Sequence, residues 1–281
     1  MRKRLRDKLS AALPLEELGK VYNSFDVIGD IAIIKINTLQ NAETIAKQIM
    51  ATQKNIKTVL TPTTSIMGDF RVRELKHLAG ENKTITTHKE WGCTFKVDVE
   101  KCYFSPRLSH EHFRIAKLVQ SDETVVNMFA GVGCFSIVIA KVVKSARVFS
   151  IDVNPAAVNL MRENIRLNRV YRRVIPLLGD AKEIVQRQLK GEADRVLMPL
   201  PEKAWGYLPV AVSALKPSGG WIHVHVFVHA TKTESPTEKV QMKVAKALAS
   251  LSIDFEIPIV RIVRRTGPNW FQLVADVHLS A

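Results

Sequence analysis

The sequence predicts an α/β chain in which a doubly wound, largely parallel sheet ending in an antiparallel hairpin follows a small α+β unit. Three observations predict it. From about Leu108, apolar strand-like runs alternate with segments long enough for crossover helices, which is how parallel strands are joined. Before that point, short strand-like runs surround one or two helical stretches without such alternation. The final apolar stretch is broken by "TGPN", a turn that folds two strands into an antiparallel pair.

Residues 1–21 begin "MRKRLRDKL" and read as a basic N-terminal segment. Over 22–104, "DVIGDIAIIKI" is a strand with a tight Gly-Asp turn, "NAETIAKQIMATQ" has helical apolar spacing at Ile45, Ile49 and Met50, and "CTFKVDV" alternates as a strand does. Over 105–281, "TVVNMFAG", "ARVFSIDV", "RVIPLLGD", "ADRVLMPL" and "GGWIHVHVF" are five strand-like runs. After the second of these, Asn154 and Pro155 form an N-cap and first-turn proline for the helix "AAVNLMRENIRLN". The closing hairpin is "FEIPIVRIVRRTGPNWFQLVADVHL".

Composition bounds the class. With 281 residues, 46% of them hydrophobic, the chain can bury the cores of one large and one smaller domain. No apolar run reaches the roughly 18 to 20 residues of a membrane span, nor is there a signal-peptide stretch near the start. A cytoplasmic protein without a membrane partner is expected. Cys93, Cys102 and Cys134 form no CxxC pair and no metal-ligand spacing, so buried thiols are expected and neither a disulfide framework nor a metal site is. The 41 Lys and Arg outnumber 27 Asp and Glu for a net charge of +14. That balance favours a polyanionic partner, nucleic acid first, although a merely solvated basic surface would give the same count.

The first strand of the large unit runs into "AGVGCFS", which puts Gly131 and Gly133 in the strand-to-helix turn. Such glycines either admit a ligand to the backbone or only make a tight turn. The second strand ends in Asp152, 21 residues after Gly131, where an acid can accept hydrogen bonds from both ribose hydroxyls. Asp180 ends the third strand at the same rim. Ser136 stands where a dinucleotide site would want a third glycine for its pyrophosphate. S-adenosylmethionine has no pyrophosphate, and acids at the strand ends suit its adenosine and ammonium groups.

"VVNMFAGVGCFSIVIAK" and "VFSIDVNPAAVNLMRENIRLN" resemble the methyl-donor motifs of the archaeal and eukaryotic tRNA guanosine-37 N1-methyltransferase family. The resemblance continues through "RELKHLAGENKTITTHKEWGCTFKVDVEKCYFSPRLS" and covers nearly the whole chain from Tyr22. It implies a Rossmann-like class I methyltransferase domain, S-adenosylmethionine as donor and tRNA as partner, with the chain acting as a monomer. Gly131 and Gly133 would form the donor loop, Asp152 the ribose ligand and Asp180 the adenine contact, with Asn127, Phe129, Val153 and Ala181 completing the cofactor set. Two positions depart from the family: Asn127 replaces an aspartate and Cys134 a proline, which should weaken donor contacts without abolishing them. The residues before Tyr22 are too few for the additional N-terminal domain that many archaeal members carry, so recognition is expected to rest on the anticodon stem-loop.

Methylating guanine N1 requires removal of its imino proton and stabilisation of charge on the neighbouring carbonyl oxygen. In "SPRLSHEH", Arg107 and Glu111 stand at i and i+4, on one face of a helix that starts after Pro106. Spacing alone leaves a surface salt bridge open; the resemblance makes Glu111 the general base and Arg107 the residue that orients the guanine. It also makes Arg71 a substrate contact from the small domain, and His112 one in place of a family arginine. The family's asparagine-leucine-proline motif is here Pro199-Leu200-Pro201, which lacks the asparagine amide. The prolines either rigidify a strand-end loop or shape a less polar base pocket, one that would also admit a tricyclic wyosine precursor. Two other functions compete. One is 3-amino-3-carboxypropyl transfer in wyosine biosynthesis, against which Arg107 argues because that branch tends to have glycine there. The other is a catalytically silent RNA-binding protein, suggested by Asn127 and Pro199.

Overall fold

The computed structural model describes residues 25–36 and 41–280, with Ser10 before them; the rest of the basic segment expected over 1–21 lies outside the described residues. The chain divides into two units, Met1–Pro106 and Arg107–Ala281.

In the first unit, β1 (Asp26–Ile28) and β2 (Ile31–Ile33) form an antiparallel hairpin. Its turn needs glycine: Gly29 has φ +57°, and a Cβ there would lie 2.2 Å from Thr86 Oγ1 and 2.4 Å from the Thr87 carbonyl oxygen. Strand β3 (Thr58–Pro62) pairs parallel with β2 through the connecting helix α1 (Ala42–Thr52), and β4 (Leu75–Gly80) returns antiparallel to β3. The apolar spacing read from the sequence is the buried face of α1, where Ile45, Ala46 and Ile49 meet Ile34, Val59 and Leu78. Strands β5 (Ile85–Glu90) and β6 (Cys93–Asp98) make a separate hairpin, with Cys93, Phe95 and Val97 on its buried face.

The second unit opens with a short 3-10 turn, Pro106–Leu108, and helix α2 (Ser109–Leu118). There follow β7 (Thr124–Asn127), α3 (Cys134–Val142), β8 (Arg147–Asp152), α4 (Pro155–Leu167), β9 (Val174–Leu178) and α5 (Ala181–Ile184), which runs into a π turn. Then come β10 (Arg195–Met198), α6 (Ala204–Ala214), β11 (Gly220–His229), α7 (Pro236–Ala249), β12 (Phe255–Gly267) and β13 (Trp270–Leu279). The sheet order is β12-β13-β11-β10-β7-β8-β9, with β7 to β11 parallel and the last two strands antiparallel. The five runs read from the sequence are these parallel strands. Their β-branched residues, Val126, Ile151, Val196 and Val224 among them, are covered on both faces; each contributes about 1.5–3 kcal/mol of burial.

Asn154 caps α4 as its sequence predicts, its side chain accepting from the Ala156 amide at 3.0 Å. All three cysteines are buried thiols. Among the described residues, no helix is long and apolar enough to cross a membrane. The order of strands reverses between β7 and β10, and a crevice outside the carboxyl ends of strands at such a switch point is where α/β sheets bind ligands.

Candidate active site

Strands β7 and β8 deliver the first elements of the site. The Gly131 amide donates to Asp152 Oδ2 at 2.6 Å, and the Asn154 amide donates to Asp152 Oδ1 at 2.9 Å. Burial pushes the Asp152 carboxyl up, opposed by the amides of Asn154, Gly131 and Val153. Two carboxylate oxygens offer about four acceptor sites, so the three amides leave room for a ligand. Gly131 and Gly133 are both left-handed, at φ +56° and +95°. At Gly133 the close neighbour is helix α4: a Cβ would meet Met161 Cγ at 2.9 Å, so this glycine lets the loop seat on α4.

Asn127, expected in the cofactor set, lies beneath the glycine loop. It is wholly buried, its Nδ2 donates to Ser136 Oγ at 3.1 Å, and its Oδ1 accepts from the Phe129 amide. Ser150 Oγ donates to the same Ser136 oxygen at 2.7 Å. There it braces the loop from below. The reason is that Ser136, where a dinucleotide site has glycine, supplies the hydroxyl that satisfies it.

At the end of β9, Asp180 caps α5, with Oδ1 accepting from the Lys182 amide at 2.7 Å and Oδ2 from the Tyr207 hydroxyl at 2.6 Å. Tyr207 also meets Phe129 edge to face, with ring centroids 5.1 Å apart. Val153 and Leu178 end their strands beside these acids with 42% and 49% of their surface exposed, while Ala181 is buried beneath. Exposed apolar side chains beside carboxylates fit a flat base on a hydroxylated sugar, and the acids would repel a phosphate. The loop Pro199-Leu200-Pro201 leads from β10 into α6, with Pro201 buried and the other two half-buried.

Helix α2 brings Glu111 beside His225 in the middle of β11, and here the expected pairing differs. Arg107 is exposed and lies on the 3-10 turn that precedes the helix, not in the helix itself. Glu111 is buried, so it is no surface salt bridge either. Its carboxylate accepts from Arg114 Nη2 at 2.8 Å and Nε at 3.0 Å, and from Arg261 Nη1 at 2.7 Å. Burial raises its pKa, but the hydrogen bonds from Arg114 and the charges around it outweigh that and leave it below the usual range. Arg114 forks onto Asp276 at 2.6 and 3.0 Å, and Asp276 accepts from His223 Nδ1 at 2.6 Å. Arg195 donates to His223 Nε2 at 2.7 Å, which fixes His223 as the neutral Nδ1–H tautomer. Glu123 then receives Arg195 at 2.8 and 2.9 Å. The whole is an alternating, charge-balanced chain of mostly buried groups. His112 is buried too, packed edge-on to Phe135 at 4.5 Å.

In the first unit, Arg71 has a left-handed backbone at φ +53° and stacks its guanidinium 4.1 Å above the Tyr103 ring. Sequence reading missed Tyr207, Arg114, Arg261, His225 and Asp276. A signal existed for two of them: "WIHVHVF" and "LVADVHL" place histidines and an aspartate inside runs that read as central strands, and a polar group buried there must find a partner.

A glycine loop tied to an acid at the switch point of a doubly wound sheet defines a nucleoside-binding α/β domain. The comparisons make it particular. A family model described as the TRM5/TYW2 methyltransferase domain matches residues 86–252, and one described as the TYW2 N-terminal domain matches residues 5–84. The chain belongs to the TRM5/TYW2 methyltransferase family, and its methyl donor is S-adenosylmethionine. It is 40% identical to the tRNA (guanine(37)-N(1))-methyltransferase Trm5b of Pyrococcus abyssi, over 92% of this chain and 75% of that one. It is 34% identical to the tRNA 4-demethylwyosine(37)-methyltransferase Taw21 of Saccharolobus solfataricus, over 94% of this chain and 96% of that one. A solved complex of aTrm5 with tRNALeu superposes with a TM-score of 0.84 at 34% identity, covering 100% of this chain and 79% of that one.

Proposed function

We propose that this chain transfers the methyl group of S-adenosylmethionine to the base at position 37 of tRNA, with guanine N1 as acceptor. The observation that carries the reading is the 40% identity to Trm5b over 92% of the chain. The buried, ionised Glu111 supports it chemically. When bound, S-adenosylmethionine supplies an electrophilic methyl carbon on a sulfonium.

Asp152 would accept from the ribose hydroxyls, Val153 and Leu178 would flank the adenine, and Asp180, held by Tyr207, would accept from its amino group. Gly131 and Gly133 shape the loop over which the donor lies. The acceptor nitrogen would be N1 of the base, and this chain's own groups would act on its proton and on the neighbouring oxygen. The imino proton passes to a Glu111 oxygen, and Arg107 stabilises charge on the guanine oxygen. Arg71 and His112 contact the substrate, and Pro199 and Pro201 wall the base pocket. The anticodon stem-loop is the part of tRNA engaged, with the excess of Lys and Arg acting on its phosphates.

A second acceptor is favoured by a specific observation: the match to Taw21 spans 94% of this chain and 96% of that protein. The Pro199-Leu200-Pro201 loop, poor in side-chain donors, suits a tricyclic wyosine precursor as well as guanine. Incubating the enzyme with donor and either unmodified tRNA transcripts or tRNA carrying the precursor, followed by nucleoside mass spectrometry, tests both. A methylated guanosine supports the first acceptor and a methylated tricycle the second. An aminocarboxypropyl adduct, or no product on either tRNA, sinks the proposal.

A further inference from the structure

The two arginines that hold Glu111 are unequal. Arg114 is locked: besides the carboxylate of Glu111 it forks onto Asp276, which His223, Arg195 and Glu123 tie in turn to β11, β10 and the turn before β7. Arg195 also donates to the Leu118 carbonyl at the end of α2. Arg261 is tethered by a single hydrogen bond among the described residues, the one to Glu111 Oε2 at 2.7 Å. Its side chain is 40% exposed, against 2% for Glu111. It projects from β12, the edge strand of the sheet, between two shifts of register with β13, at Glu256/Ile259 and Ile262/Arg264. Titratable partners thus reach Glu111 from three elements: Arg114 from its own helix, His225 from β11 with Nε2 at 3.9 Å, and Arg261 from β12. Burial pushes His225 down to about 4, so it is neutral near pH 7 and leaves the two arginines as the cations.

These N–H groups leave Oε1 one acceptor site, on the side of the buried His225, and with 2% of its side chain exposed Glu111 gives an imino N–H no open approach. One partner must leave before Glu111 can take a proton. We propose that Arg261 is the exchangeable counter-ion of Glu111: it occupies Oε2 in the resting enzyme and yields that oxygen to the N1–H of the incoming base, while Arg114, anchored on Asp276, holds the carboxylate in place. Water at the sheet edge solvates the released guanidinium, and Arg114 keeps the buried carboxylate paired, which limits the cost of breaking a pair whose acid is buried. Loss of one cation also raises the proton affinity of the carboxylate at the moment it must act as a base. Arg261 is a positioning residue in this scheme. The inference rests on the reading of Glu111 as the base.

The test is the pH dependence of the single-turnover methylation rate, with saturating S-adenosylmethionine and the tRNA that nucleoside analysis identifies as acceptor, for wild type, Arg261→Gln, Arg261→Lys and Glu111→Gln. Removing the Arg261 charge raises the Glu111 pKa, so the acid limb of the Arg261→Gln profile moves to higher pH. Above that limb the rate rises about 3-fold, as expected for a stronger base that no longer waits for exchange. Arg261→Lys keeps the charge and returns the limb to its wild-type position, and thermal melts confirm that both variants fold. An Arg261→Gln limb at the wild-type position, or a fall in its plateau rate, overturns the proposal. Wild-type rates for Glu111→Gln instead remove the base itself, which is a separate failure of the underlying reading.

Discussion

The amide of Gly131 donates to the carboxylate of Asp152 across 2.6 Å, tying the loop after β7 to the end of β8. One acid thereby orders the glycine loop and keeps lone pairs for a ligand. Asp152→Ala should weaken S-adenosylmethionine binding by roughly 1.5–3 kcal/mol, the range for hydrogen bonds to a charged acceptor, with little effect on tRNA affinity. Calorimetry with the donor alone reads this directly; unchanged affinity in a folded variant removes Asp152 from the donor site.

Tyr207 fixes Asp180 by a 2.6 Å hydrogen bond from the start of α6. Tyr207→Phe keeps the ring against Phe129 but lets the carboxylate turn. Donor affinity should fall about three- to tenfold, the worth of one hydrogen bond. If affinity holds while the melting temperature drops, the bond is structural only.

Glu111→Gln should slow methyl transfer by about 10²- to 10⁴-fold with both substrates still bound, as expected when a general base is lost. Because the site is buried and carries Arg114 and Arg261, the variant should also lose about 1–3 kcal/mol of stability. Single-turnover rates and urea unfolding separate the two effects. Arg107→Ala should slow turnover too, and if both residues act on one guanine the losses will not add.

Burial holds His225 down to about 4, against 6.5 for an ordinary histidine. Below pH 6.5 the unfolded chain takes up a proton that the folded chain refuses, so stability falls as pH drops from about 6.5 to about 4, by up to about 3 kcal/mol from this group. His223 is shifted in the same direction by burial and adds to the slope. His225→Leu should flatten the acid side of the stability–pH curve; an unaltered slope in urea titrations would show that His225 titrates as an exposed histidine.

Affinity for tRNA should fall steeply with salt, because an excess of Lys and Arg acts through phosphate contacts that release counterions. Filter binding between low and physiological ionic strength is the measurement. A flat response contradicts a phosphate-led interface.

The parallel sheet was legible in the sequence because each central strand is a short apolar run with its own punctuation: glycines after β7, the Asn154-Pro155 cap after β8, and "TGPN" in the hairpin. These are local signals, set by backbone sterics and by strands covered on both faces. The Gly131–Asp152 pair was legible for the same reason, since a strand-loop-helix unit brings its two ends together by construction of the fold. The surroundings of Glu111 were not. Its i+4 spacing from Arg107 suggested a helical pair, but the chain after Pro106 takes a 3-10 turn first. The partners that hold Glu111 come instead from Arg114, one turn on, and from Arg261, 150 residues away. Asn127 likewise turned inward because Ser136 and Ser150, from a helix and a neighbouring strand, meet it in the core. Sequence alone determined which elements form and which rim of the sheet carries the acids. Only the tertiary structure decided which charges meet, because the need to pair a buried charge is met by whatever packing brings near, at any separation along the chain.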